Sequence, residues 1–267
     1  MEAKERIVVA LDVATIEKAK ELAIQLHPYV GAFKIGLELI TSEGGPEVIR
    51  HIDDVCGRYY FAGKWEGNPS QIFYDGKFND IPNTVAGAAR AVTRLGVKMF
   101  NIHCLGGVEM MSAAKKAAEE EASLRKTPRP LILGVTLLTS LDYQALEELD
   151  VAPGWYDRSL KEEMIQRMVR GLALAAQKVG LDGVIASPQE IKLLRQWCQP
   201  EFLIVTHGIR PLWAAAGDQK RIDTPSAAIK AGADYLVIGR PITQPPKEIG
   251  GPIEAVKKII EEIEVVV

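Results

Sequence analysis

The chain lacks the features that mark secreted, membrane-spanning or nucleic-acid-binding proteins. It has only three cysteines in 267 residues, Cys56, Cys104 and Cys198. They are odd in number, widely spaced and in no CxxC pair, so they suggest neither a disulfide framework nor a zinc site and read as reduced thiols. No apolar run approaches the ~20 residues needed to span a bilayer. The opening Met1-Glu2-Ala3-Lys4-Glu5-Arg6 is charged and lacks the apolar centre of a signal peptide, so a cytoplasmic location is expected. Neither sign of charge dominates: 32 basic and 35 acidic residues leave a net charge of −3. A nucleic-acid partner usually needs a basic face, so none is expected. A small anionic ligand is still compatible, because a local basic pocket does not need a basic protein. The first strand ends in Asp12-Val13-Ala14 rather than a GxGxxG dinucleotide fingerprint, and no other cofactor motif is visible.

What is present is regular in its order. Apolar residues make up 47 % and charged residues 25 %, proportions that let a chain this long bury a large core without disulfides or metals. Short β-branched runs alternate with longer amphipathic stretches. The spacing predicts strands over 7–11, 32–35, 72–77, 97–103, 131–136, 183–186, 202–206 and 235–238. It predicts helices over 15–26, 45–56, about 81–95, 108–122, 160–179, 189–198, 224–231 and 253–263. Strict βα alternation implies a parallel sheet with helical crossovers, and eight units close into an α/β (β/α)8 TIM barrel of roughly 250 residues. Residues 1–267 are read as one such domain. Two stretches look inserted. Residues 58–71, with Tyr59, Tyr60, Phe61 and Trp65, precede the third strand, on the face associated with stability. Residues 140–159 follow the fifth strand, on the catalytic face, and are expected to form a mobile active-site loop.

Barrel chemistry stands at the C-terminal ends of the strands. The sequence places Asp12, Lys34, Asp75, Lys77, His103, Thr136, Thr139, Ser187, His207, Arg210 and Arg240 there, in strand order. Asp75 and Lys77 are two apart, so their side chains are expected on one side of the strand. With Asp12 and Lys34 from the preceding strands they would form an alternating Asp/Lys cluster. A single charge at a strand end is usually solvated. Four at the same end of consecutive strands suggest a partly dry, paired array, because unpaired burial is costly. Asp80 has two readings, a member of this cluster or an N-cap of the following helix. Thr84 could likewise be only a first-turn helix residue.

A second cluster suggests anion binding. The eighth strand ends in Gly239-Arg240-Pro241, and loops after strands seven and eight of barrels commonly hold phosphate through backbone N–H groups. Arg240 can grip phosphate oxygens bidentately and Gly239 lets the backbone come close. Gln219 is a further candidate donor.

Residues 75–84, Asp75-Gly76-Lys77-Phe78-Asn79-Asp80-Ile81-Pro82-Asn83-Thr84, fit the motif Asp-x-Lys-x-x-Asp-Ile-Pro-Asn-Thr. In order around it stand Ala10-Leu11-Asp12, Phe33-Lys34-Ile35-Gly36, Leu138-Thr139-Ser140, Gly208-Ile209-Arg210-Pro211, Asp218-Gln219-Lys220-Arg221 and Ile238-Gly239-Arg240-Pro241-Ile242. This ordered set resembles the orotidine 5′-monophosphate decarboxylases. The resemblance implies cofactor-free decarboxylation of orotidine 5′-monophosphate to UMP. It implies Lys77 as the proton donor to C6, Asp75 beside the substrate carboxylate, and Lys34 and Asp12 on the ribose hydroxyls. Asp80 would enter the neighbouring subunit's site, which implies a homodimer, and Ile81 and Thr84 would serve the substrate from the same side. Thr139 would face the pyrimidine, and Gln219, Gly239, Arg240 and Arg210 the phosphate. Three features depart from the family pattern. His207 stands where a proline is common, Ala186-Ser187 where Cys-Ser is frequent, and 58–71 is longer than expected. The alternative is a Mg²⁺-dependent sugar-phosphate decarboxylase or synthase of the same superfamily. Such enzymes are expected to carry an acidic metal ligand after strand two, where this chain has Lys34. No metal ligand is assigned.

Overall fold

A computed structural model describes residues 1–61, 64–151, 158–214 and 223–267. Eight parallel strands close a barrel: β1 (Ile7–Ala10), β2 (Ala32–Ile35), β5 (Ile72–Phe78), β6 (Met99–His103), β7 (Leu131–Val135), β8 (Gly183–Ala186), β9 (Leu203–Thr206) and β10 (Tyr235–Ile238). They neighbour one another in chain order, and β10 returns to β1. The strands lie within a residue or two of their predicted bounds. The expected (β/α)8 architecture is what the chain adopts.

The helices between the strands start where the sequence supplies starters. Thr15 caps α1 (Ile16–Leu26) by accepting from the Lys18 N–H at 3.4 Å. Thr224 caps α9 (Pro225–Ala231) through the Ala227 N–H at 3.2 Å. Proline opens α4 (Pro82–Arg94), α9 and α11 (Pro252–Glu264), where its missing N–H costs nothing. The remaining helices are α2 (Leu37–Leu39), α3 (Gly45–Val55), α5 (Gly107–Arg125), α6 (Tyr143–Glu148), α7 (Arg158–Lys178), α8 (Ile191–Trp197) and α10 (Arg240–Thr243).

Strand parity divides the core in two. Ile7, Val9, Phe33, Ile35, Phe100 and Ile102 face the helices. Val8, Ala10, Ala32, Phe73, Met99, Leu133, Val135, Ile185, Val205, Tyr235 and Val237 fill the barrel. Side chains alternate along a strand, so the inward set predicts what stands next above it. Ala10 leads to Asp12, Ala32 to Lys34, Phe73 to Asp75, Met99 to Asn101, Val205 to His207 and Val237 to Gly239. The apolar filling of the barrel is therefore the floor on which the polar site rests.

The 58–71 insertion holds a two-stranded antiparallel sheet, β3 (Arg58–Phe61) and β4 (Lys64–Gly67), before β5. It is anchored by a buried cluster. Arg58 Nη1 donates to Asp53 Oδ2 at 2.6 Å, Ser70 Oγ donates to Asp53 Oδ1 at 2.9 Å, and the Arg58 guanidinium lies 4.1 Å above the Trp65 ring. In the 140–159 stretch, α6 starts at Asp142, whose carboxylate accepts from the Ala145 N–H at 3.0 Å. Residues 152–157 of that stretch lie outside the described residues.

Candidate active site

A cavity of about 480 Å³ opens at the C-terminal end of the barrel. Asp12, Lys34, Asp75, Lys77, Thr139, His207, Arg210, Gly239 and Arg240 are among the residues that line it. At its floor Lys34 Nζ lies 3.0 Å from Asp12 Oδ1 and 3.0 Å from Asp75 Oδ2, and Lys77 Nζ lies 2.7 Å from Asp75 Oδ1. The predicted four-charge cluster therefore exists as one continuous ion-paired chain. The Lys34 and Asp75 side chains are 9 % and 4 % exposed, whereas Asp12 is 58 % exposed and marks the rim. Space around the chain is tight. A Cβ on Gly36 would come within 3.0 Å of Lys34 Nζ and 3.1 Å of Asp12 Oδ1.

Burial alone would raise the pKa of Asp75. The charges of Lys34 and Lys77, with hydrogen bonds from Lys77 and Asn101, outweigh it and hold the carboxyl well below the usual carboxylate range. Burial likewise works against the Lys34 ammonium, but Asp75 and Asp12 overcome it and raise its pKa. Near neutral pH the floor thus holds a fixed carboxylate beside a fixed ammonium. In the same cavity, burial and the neighbouring Arg240 both push Arg210 below the usual guanidinium value. A guanidinium whose charge is disfavoured in this way, beside a second one, forms a site suited to an anion.

The expected same-side placement of Asp75 and Lys77 occurs by a different geometry. The pairing of β5 with β6 slips between Tyr74 and Phe78, and Lys77 has φ +46°. Such a backbone costs a non-glycine residue roughly 1–3 kcal/mol and persists only where its surroundings enforce it. Asn101 provides that enforcement. Its side-chain oxygen accepts the Lys77 backbone N–H at 2.7 Å, and its side-chain nitrogen donates to Asp75 Oδ1 at 2.6 Å. Gly76 permits the bulge, since a Cβ there would meet the Tyr74 ring at 2.7 Å and the Phe78 ring at 2.9 Å.

The family described as "Orotidine 5'-phosphate decarboxylase / HUMPS family" matches residues 5–259. The chain belongs to this family. A relative named orotidine 5'-phosphate decarboxylase from Moorella thermoacetica is 46 % identical over 267 residues, covering 100 % of this chain and 95 % of the relative. One of the same name from Syntrophomonas wolfei is 45 % identical over 99 % of this chain and 100 % of its own length. A crystal structure of orotidine 5'-phosphate decarboxylase from Lactobacillus acidophilus superposes with a TM-score of 0.73 at 31 % identity, covering 96 % of this chain and 98 % of that one. The matched span contains the 75–84 motif on which the resemblance to the orotidine 5′-phosphate decarboxylase family rests.

Not every expected site residue reaches the cavity of its own chain. Asp80, Ile81 and Thr84 are exposed and absent from its lining. Asp80 does not cap the first turn of α4. Its carboxylate accepts from the Ile81 N–H, one residue on, at 2.6 Å, and the N-cap position is Ile81, whose side chain caps nothing. Gln219 lies outside the described residues. Thr136 is fully buried and donates to the Ile185 carbonyl at 3.0 Å. Asn101 escaped the sequence reading, although a single amide in the apolar run Met99-Phe100-Asn101-Ile102, in register with inward-facing Met99, is a signal that could have found it. Thr243 and Gln244 also line the cavity and carried no such signal.

Proposed function

We propose that the chain decarboxylates orotidine 5′-monophosphate to UMP, the last step of de novo pyrimidine nucleotide synthesis, without a cofactor. The observation that carries this is the Lys34–Asp75–Lys77 chain on the floor of a cavity that Arg210 and Arg240 also line. The names of the relatives support it.

Loss of CO2 leaves the bonding electron pair on C6 of the pyrimidine. With no electron sink in the substrate, fixed charges must stabilise that pair. The Lys77 ammonium faces the developing carbanion, then gives it a proton. The product is UMP, and the neutral lysine regains its proton from solvent. Asp75, held ionised, repels the substrate carboxylate in the ground state. Enzymes acting on very slow reactions lower barriers by on the order of 20 kcal/mol, which one ammonium cannot supply. The remainder comes from binding energy remote from C6. Arg240, Arg210, Gln219 and the Gly239 N–H hold the phosphate, Asp12 and Lys34 hold the ribose hydroxyls, and Thr139 faces the ring. Asp80, Ile81 and Thr84 complete the site of a second copy in a homodimer, which accounts for their exposure here. The whole chain, 1–267, acts as one domain in the cytoplasm.

A Mg²⁺-dependent sugar-phosphate chemistry fits the donor set less well. The Lys34 ammonium occupies the space between the Asp12 and Asp75 carboxylates, and a divalent cation there would have to displace it. Orotidine 5′-monophosphate decarboxylation is read directly as CO2 release by the purified protein. Steady release of CO2 with formation of UMP is expected, and its absence would refute the proposal.

A further inference from the structure

His207 lines the cavity, yet no function has been assigned to it. It follows Val205 in the inward-facing set, so the end of β9 aims it into the barrel mouth. Its Nδ1 is enclosed by protein without a hydrogen-bond partner, and among the described residues neither ring nitrogen is bonded to the protein. Native structures leave few buried polar atoms unpaired, and each such atom calls for a cause. The charges that act on the imidazole are those of the floor: Asp75, Lys34, Lys77 and Asp12. Arg210 instead feels Arg240. The ring therefore stands within electrostatic reach of the ion-paired chain, in the cavity that chain floors. Burial first, then the two lysines, push its pKa down to about 4 against the pull of the aspartates. Near neutral pH the ring is uncharged, with one N–H to donate.

We propose that His207 contacts the substrate, its cavity-facing Nε2–H donating a hydrogen bond to an oxygen of the pyrimidine's reacting end, either the carboxylate or a ring carbonyl. The proposal rests on the decarboxylase reading for the identity of that ligand. A neutral donor suits this position. It can engage an anionic or carbonyl oxygen without adding a third cation to a floor that is already balanced. Nε2 has no partner among the described residues because the ligand is its partner.

His207→Leu and His207→Gln separate this role from a packing role. Leucine removes the ring nitrogens at similar volume, and glutamine restores an N–H near the Nε2 position. Replacing an unpaired buried polar atom by an apolar group is neutral or stabilising. His207→Leu is therefore expected to keep or raise Tm while kcat/KM for orotidine 5′-monophosphate falls about tenfold or more, and His207→Gln to recover most of the loss. A binding arm is independent of turnover. The calorimetric Kd of orotidine 5′-monophosphate for Lys77→Ala should weaken about tenfold when His207→Leu is added. Wild-type protein that binds this nucleotide but releases no CO2 would refute the decarboxylase reading alone, and the binding arm would still decide the role of His207. Unchanged kcat/KM and Kd in the leucine variants would overturn the proposal. So would losses that track a lowered Tm and persist in His207→Gln.

Discussion

Two inward-facing residues at strand ends carry opposite electrostatic outcomes. Asp75 is buried and stays ionised because two lysines and an amide hold it. His207 lines the same cavity with its Nδ1 enclosed, and stays neutral because desolvation and the two lysines outweigh the aspartates. The second case has a consequence for stability. The folded-state pKa of His207, about 4, lies below the ordinary 6.5. Between those values the unfolded chain binds the proton that the folded chain refuses, so stability falls as pH falls through that window. Asp53 contributes the opposite slope nearby. Burial raises its pKa to about 6 despite Arg58, so the folded state takes up that proton first. Comparison with a variant cancels the shared contribution. Thermal melts from pH 6.5 toward pH 4 should show a steeper loss for wild type than for His207→Gln. Parallel curves would contradict a buried neutral imidazole.

At the scale of elements, β5 and the β3–β4 hairpin carry what the sequence did not disclose. Strand and helix positions were legible because β-branched runs and 3.6-residue patterns repeat eight times, and the Asp12, Lys34 and Asp75 placements followed from strand parity. Lys77 was placed correctly by a rule that does not apply to it. Parity assumes an even strand, whereas the β5–β6 register slips there and Lys77 has a positive φ. Such a slip depends on Asn101 across the sheet, and no pattern local to 75–84 encodes it. The hairpin read only as an insertion, because its antiparallel pairing has no counterpart in the βα repeat. Its anchor is testable. Arg58→Ala would leave the fully buried Asp53 without its cation, a loss of roughly 3–5 kcal/mol. Denaturant unfolding should show a drop of that order, while the folded fraction keeps its decarboxylase activity because the cluster precedes β5, far along the strand from the site. A drop below about 1 kcal/mol would mark the pair as one worth no more than a surface salt bridge.

At the scale of the molecule, the 75–84 motif divides its residues between two places. Asp75 and Lys77 line the cavity of their own chain, while Asp80, Ile81 and Thr84 point elsewhere on the surface. Ile81 is 66 % exposed, a large apolar side chain beside an acid. Sharing of sites between two copies would explain both facts, and hybrid dimers test it. Lys77→Ala and Asp80→Ala are each expected to be nearly inactive alone. In a mixed dimer, one of the two sites would have Lys77 from one chain and Asp80 from the other, both intact. Random reassortment makes half the dimers mixed, so mixing equal amounts should restore about a quarter of wild-type activity. If Asp80 served its own chain, no mixed site would be intact and no activity would return.

The central claim is that the fixed charges of the barrel floor, with Lys77 as proton donor, perform the decarboxylation without a metal. The most direct measurement is CO2 release from orotidine 5′-monophosphate by wild-type protein and Lys77→Ala, each before and after exhaustive treatment with EDTA. Wild-type turnover unchanged by EDTA is predicted, with turnover by Lys77→Ala lower by several orders of magnitude and nucleotide binding still detectable. Wild-type activity abolished by EDTA, or near-normal turnover by Lys77→Ala, would contradict it.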